Sequence, residues 1–350
     1  MKANEDYLYQ YISKDVDSKN PENKIILFWS TYDSSVDLTY DKWIDKKLNI
    51  SAFHLLSLLS HIKLKNDTTL YSYHKFNVGQ VPEGIKIKDA NKIFCSKEAF
   101  EALQTGHSIA HISDLVRLTV AANINGVVID MDAVCLKKFP SLESYYGSMP
   151  AKLSGGVAPK WGKSHPPLHI SDNSWDGKGL FMFPAKINNE IKHQIIALTD
   201  KIKKTLQVKP KKTSKAWNYV MWGVKDTIKN NSKAKVFKPI YFCPLTAWLR
   251  KGKCYSLENP TRLDGVTKKF GVRFPSIEEI FEKTITVQHF FESAGNLQGG
   301  FGDISNNKNT NTLSWANINE KCLLAQEALY VIGKNWRQTL LERELINNIT

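Results

Sequence analysis

The chain predicts an α/β protein: a largely parallel, Rossmann-like central sheet with helices on both faces and a helical C-terminal tail. Three observations carry this expectation. Short apolar runs alternate with stretches of helical spacing through the first half of the chain. A strand–helix–strand order opens near residue 24, and near residue 106 a second helix runs through an Asn-Gly pair straight into another apolar run.

The elements follow in order. "KIILFWS", Lys24 to Ser30, comes after the polar "NPEN" and reads as a buried first strand. "NISAFHLLSLLSHIKL" places Phe53, Leu56, Leu59 and Ile62 at helical spacing, and "TLYSYHKF" then alternates as a strand does. A helix from about Gly106 to Asn123, stopped by Asn125-Gly126, feeds "VVID". Beyond it, "SGGVAPKWGKSHPPLHISDNSWDGKG" is rich in Gly, Pro and Ser and reads as loops around a site. Helices are expected near Ile187 to Leu206 and Ser214 to Lys229, and a strand over Lys283 to Phe291, "KTITVQHFF". The Gly/Asn/Ser-rich stretch after it has the composition of a mobile lid, and a helical tail closes the chain from about Asn317 to Asn347. The expected division is an N-terminal extension over 1–23, a main domain over 24–292, a lid over 293–316 and a tail over 317–350. Ligands of such sheets bind beyond the carboxyl ends of the strands.

Composition narrows the function classes. With 350 residues and 42% hydrophobic content the chain can bury a large core, which sets aside a disordered protein. The opening residues lack the apolar stretch of a signal peptide, no run approaches a membrane span, and the five cysteines are odd in number with no C-x-x-C spacing. These point to a reducing cytoplasm. The net charge of +14 is concentrated in Lys201 to Lys215, which contains no acid. That run fits either a solvated helix end and loop or peripheral contact with the acidic inner face of a membrane. No zinc finger, RRM signature or helix-turn-helix accompanies it, so nucleic acid is not an expected partner.

Two pairs of residues carry chemistry. Asp114 and Arg117 are three apart and share a helix face, either as an ordinary surface ion pair or as part of a site. Asp130 and Asp132 are two apart at the end of an apolar run, where a strand would point both carboxylates to one side. Adjacent like charges call for a positive partner. A hard cation, Mn²⁺ or Mg²⁺, held by few carboxylates and completed by the phosphate oxygens of a substrate, would supply it. The pair "SHPPLH", His165 and His169, lacks the further ligands that a zinc site needs.

These residues together, "SDLVR…INGVVIDMDAVCLK", resemble the S-D-x-x-R…G-G-x-Y-x-D-x-D core of the DXD sugar transferases. Those are retaining nucleotide-sugar glycosyltransferases of the GT-A fold, including bacterial polysaccharide and yeast mannosyl enzymes, with a core similar to that of the large clostridial glucosylating toxins. The resemblance implies a GT-A-type catalytic domain and a metal-dependent transfer of a hexose or N-acetylhexosamine. The donor would be a nucleotide sugar, UDP-sugar favoured, and the acceptor a saccharide or glycoconjugate, or a protein as with the toxins. It implies that Trp29 stacks on the nucleobase, a position where the strand's alternation equally suits a core residue. Asp114 and Arg117 would contact the sugar hydroxyls. Asp130 would touch ribose and sugar and reach the metal through water, and Asp132 would bind the metal directly. His289 would serve the metal or diphosphate, although it shares a strand face with Ile285 and Val287. Ser314 and Trp315 are placed like the toxins' closing loop. The chain departs from the pattern at Asn125, where the family has glycine, at Val128, where it has tyrosine, and in lacking the acceptor-side Gly-Pro.

A second enzyme class shares the local motif. In haloacid dehalogenase-type Mg²⁺ phosphatases Asp130 would be the nucleophile and Asp132 the acid/base. That class needs a further acid where "GDISNN" has Asn307, and it gives Asp114 and Arg117 no role.

Overall fold

The computed structural model describes residues 24–33, 37–142, 144–148, 168–169, 181–208, 223–224, 226–228, 230–231, 234–237, 239–242, 272–273, 275–289 and 315–349. The first strand, β1 (Lys24–Phe28), alternates its side chains between two cores. Ile25 and Leu27 face one cluster and Ile26 and Phe28 the other, with none of the four more than 5% exposed. A strand buried on both faces belongs at the centre of an α/β sheet.

Helix α1 (Tyr40–Ile44) and helix α2 (Ala52–Lys63) follow β1, and Ser51 caps α2 by accepting from the N–H of His54 at 3.2 Å. Strands β2 (Asp67–Ser72) and β3 (Lys86–Asp89) then extend the sheet. Helix α3 (Ser96–Gln104) leads into helix α4 (Ile109–Ile124), which delivers the chain to β4 (Val127–Val128) beside β1. A short strand β5 (Ala133–Cys135) and strands β6 (Ser144–Ser148), β7 (Leu168–His169) and β8 (Phe181–Lys186) precede helix α5 (Lys192–Leu206). Strand β9 (Ala234–Phe237), helix α6 (Pro239–Phe242), strand β10 (Val272–Arg273), helix α7 (Ile277–Lys283) and strand β11 (Thr286–Gln288) complete this part. Helices α8 (Leu323–Ile332) and α9 (Trp336–Ile349) form the tail.

Among the described residues the main sheet has the order β3-β2-β1-β4-β8-β6-β9. Strands β3, β2, β1 and β4 run parallel, β8 runs against β4 and β6, and β9 is parallel to β6. The order reverses between β1 and β4. That reversal opens a crevice at the carboxyl ends of the two strands, the place where doubly wound sheets bind ligands. Two small sheets flank this one, β10 with β7 in parallel and β11 with β5 antiparallel.

Helices α3, α4 and α5 cover one face, and α2 with the tail covers the other. The tail is therefore core: Leu323, Leu324, Trp336 and Leu340 lie in the cluster that holds Leu56 and Ile129. The expected architecture of an α/β sheet, largely parallel, with flanking helices and a helical C-terminus is the observed one. Among the described residues no helix is long and apolar enough to cross a membrane.

One expectation needs correction. The strand predicted to run through Asp130 stops at Val128; Ile129 still donates to the carbonyl of Ile26 at 3.3 Å, and Met131 and Asp132 then form a turn. The cause is long-range pairing. β11 captures Ala133–Cys135 in antiparallel register, Gln288 opposite Ala133, and so draws the chain out of the main sheet.

Candidate functional site

The site is assembled by the segment that leaves α4. Ser108 starts the helix, accepting from the N–H of Ala110 at 3.2 Å and forming a capping box with His111. Asn125 ends it in the left-handed conformation, φ 53° and ψ 52°. Asn125 thus makes the turn expected of Asn125-Gly126 at the end of the helix. Gly126 serves a different need. A Cβ there would lie 2.5 Å from Cδ1 of Ile26 and 3.1 Å from the carbonyl oxygen of Lys24, so only glycine lets β4 lie this close to β1.

Asp114 and Arg117 do not form a solvated surface pair. The Arg117 side chain is 4% exposed and that of Asp114 12%, and the guanidinium donates to Asp114 Oδ1 at 2.9 Å. It donates also to the carbonyl of Ile129 at 2.7 Å and to Asp130 Oδ1. One side chain from α4 therefore holds the end of β4 by both its backbone and its carboxylate. Burial lowers the guanidinium's proton affinity, while Asp130 and then Asp114 raise it by more, so the group lies above its ordinary pKa and is always charged.

Asp130 and Asp132 stand on the two limbs of the turn rather than on one strand, yet they are brought together. Gln288 bridges them: its Nε2 donates to Asp132 Oδ1 and, at 3.3 Å, to Asp130 Oδ2. Both carboxylates are half-buried, Asp130 with a side chain 30% exposed, so solvent reaches the pair from one side. The two adjacent, partly open carboxylates fit a divalent cation that would displace the Gln288 N–H now lying between them. Among the described residues no cluster of three or more His, Cys, Asp and Glu side chains completes a cage. Asp130 and Asp132 are the residues that would hold Mn²⁺ or Mg²⁺, with the other positions left to neutral oxygens and substrate phosphate.

Gln288 was not singled out from the sequence, and His289 was. In the structure the two exchange places. Successive strand residues point to opposite sides, so Gln288 meets the carboxylates while His289 goes into the core with Val287. His289 Nε2 lies 2.7 Å from Glu327 Oε2 of α8, both side chains fully buried, and its ring stands edge-on to Phe53. Its backbone N–H donates to the carbonyl of Asp132 at 2.9 Å. The residue supports the turn from behind and does not join the two carboxylates. The apolar company of Ile285 and Val287 was the available signal.

Trp29 sits directly after β1, on the neighbouring side of the crevice. It is partly buried, its N–H donates to the carbonyl of Tyr71 at 2.9 Å, and its ring lies 4.1 Å from that of His54 at a tilt of 50°. Burial lowers the His54 pKa to about 4, so the neighbouring ring is neutral at pH 7. Trp29 Nε1 is buried without a partner among the described residues.

Trp315 is 1% exposed, edge-on to Trp336 at 6.2 Å, and its N–H donates to Glu344 at 3.2 Å. It packs within the tail. Ser314, the expected lid before it and His165 lie outside the described residues, as does the side chain of His169. The lysine run begins on α5, where Lys201 and Lys204 are exposed opposite the buried Ile202 and Leu206; residues 209–215 lie outside the described residues.

No family model and no curated relative matches the chain. Among solved structures, one titled PaToxG glycosyltransferase is similar over 63% of this chain and 76% of its own, at 15% identity and a TM-score of 0.29.

Proposed function

We propose that the chain is a cation-dependent glycosyltransferase. It moves a hexose or N-acetylhexosamine, with retention, from a nucleoside diphosphate sugar to a saccharide or glycoconjugate acceptor, a UDP-sugar being the first candidate donor. One observation carries the reading: Asp130 and Asp132 share the Gln288 amide just beyond the carboxyl end of β4, where the strand order reverses, and Arg117 ties Asp130 to Asp114. A surface ion pair or a strand cap needs neither the burial nor the convergence.

The residues divide the work. Asp132 and Asp130 hold the cation, which when bound neutralises charge gathering on the diphosphate leaving group. Asp114 is placed to orient the sugar. Arg117, buried and engaged on three sides, acts through Asp130 as a positioning residue. Trp29, directly after β1, would offer the face of its ring to the nucleobase. The phosphatase reading gives no role to Asp114, which Arg117 joins to Asp130. The exposed Lys201 and Lys204 suit peripheral contact with an acidic membrane surface.

Thermal unfolding with UDP- and GDP-sugars, each with and without Mn²⁺, tests the reading. A rise in Tm that needs nucleotide sugar and Mn²⁺ together is expected. No shift with any pair, or phosphate trapped covalently on Asp130, would overturn it.

A further inference from the structure

The cation site proposed above has two protein carboxylates, and Gln288 is the side chain placed to complete it. Gln288 is 2% exposed, and it reaches the carboxylates from β11, an element remote in sequence from the turn that carries them. Its amide nitrogen donates to both Asp130 and Asp132, while its Oε1 is buried with no hydrogen-bond partner among the described residues. A buried amide oxygen without a donor is costly, about 1–3 kcal/mol, so the orientation with the N–H groups between the carboxylates is not a fully satisfied one.

The two halves of this amide are nearly the same size and shape. Rotation about the terminal torsion of glutamine, which is broad and roughly two-fold, exchanges them. In one orientation the N–H groups lie between the carboxylates and relieve their repulsion. In the other, Oε1 faces the carboxylates with the ion between them, and an amide oxygen is a ligand that Mn²⁺ and Mg²⁺ accept readily beside carboxylates.

We propose that Gln288 is the third protein ligand of the cation held by Asp130 and Asp132, turning Oε1 to the ion when it binds and its N–H groups to the carboxylates when it leaves. The inference rests on the cation-binding reading of the two aspartates and extends it. It explains why a polar side chain is buried at a strand position otherwise suited to an apolar residue. The β5–β11 pairing fixes the reach, since Gln288 lies opposite Ala133, the residue after Asp132.

The test is direct cation binding. Free Mn²⁺ is measured by its EPR signal on titration into the full chain, with and without saturating UDP, for the wild type, Asp132→Ala, Gln288→Leu and Gln288→Met; Cd²⁺ affinity follows by competition. Wild-type binding that is lost in Asp132→Ala is expected. Gln288→Leu should weaken Mn²⁺ binding about tenfold or more, the scale for disturbing the groups around a bound metal. Gln288→Met, of similar shape but with a soft thioether, should raise the affinity for Cd²⁺ relative to Mn²⁺, an effect that a packing role would not produce. If the wild type binds no Mn²⁺ with or without UDP, the cation reading itself fails. If Asp132→Ala loses Mn²⁺ while Gln288→Leu binds it as tightly as the wild type or more tightly, the glutamine is only a donor between the carboxylates and the inference falls alone. Should the leucine variant not fold, the methionine variant decides: an unchanged Cd²⁺ to Mn²⁺ ratio overturns the assignment.

Discussion

Arg117 is the residue whose removal separates architecture from chemistry. A buried ion that loses its partner costs about 3–5 kcal/mol, far more than the pair's net contribution when intact. Arg117→Met should therefore destabilise the protein by about that amount, because it removes the cation paired with Asp114 and releases the carbonyl of Ile129 along with Asp130. Asp130→Asn, at a side chain 30% exposed, should cost well under half as much. Urea unfolding of the two variants checks the order, and equal losses would mean that the network is not centred on the guanidinium. Spacing and an apolar helix made Asp114 and Arg117 legible in sequence, and the D-x-D pair was legible by its like charges. Gln288 was not, because its meaning depends on a partner 158 positions away. The neighbouring His289 has the more conspicuous chemistry in sequence, but its side chain is buried against Glu327.

At the scale of elements, the approach of β4 to β1 sets the crevice. Gly126→Ala adds a methyl where Ile26, itself fully buried, and the Lys24 carbonyl already stand. Overpacking of this kind costs about 1–3 kcal/mol. Because Ile129 and Asp130 follow within a few residues, the variant should also weaken Mn²⁺ binding, and a folded variant with wild-type stability and affinity would show that the contact is slack. The tail makes the complementary case. Trp315→Ala empties a core position and should cost about 3–5 kcal/mol in denaturant unfolding; a loss below about 1 kcal/mol would place the ring elsewhere. Helix α2 could be read from the spacing of Phe53, Leu56, Leu59 and Ile62, and α4 from its apolar run closed by Asn125-Gly126. The early end of β4 could not, since nothing local marks where a distant strand will capture the chain.

Over the whole molecule, burial of histidines couples folding to acid. His61 is fully buried in α2 beside Asn66 and the Cys135 sulfur, and desolvation lowers its pKa from 6.5 to about 3. The folded state refuses a proton that the unfolded chain accepts, so the stability from keeping His61 neutral is complete above pH 6.5 and is lost as pH falls toward 3. Each unit of that interval removes up to about 1.4 kcal/mol. His54, His74 and His111, each lowered to about 4 chiefly by burial, act in the same direction. Urea unfolding from about pH 7 to about pH 4.5 should show a shallower decline in His61→Gln than in the wild type, and parallel curves would refute the assignment. The doubly covered sheet that buries these side chains was legible in sequence as apolar runs alternating with amphipathic helices. The pairing of β11 with β5 was not, although that pairing completes the site.

The central claim is that Asp130 and Asp132 hold a divalent cation for nucleotide-sugar chemistry. The most direct measurement is release of UDP from UDP-hexoses and UDP-N-acetylhexosamines by the full chain in Mn²⁺, in EDTA, and with Asp132→Ala in Mn²⁺. UDP released in Mn²⁺, abolished by EDTA, restored by added Mn²⁺ and absent in a folded Asp132→Ala is the predicted result. Release that continues in excess EDTA, or that survives Asp132→Ala, would contradict it.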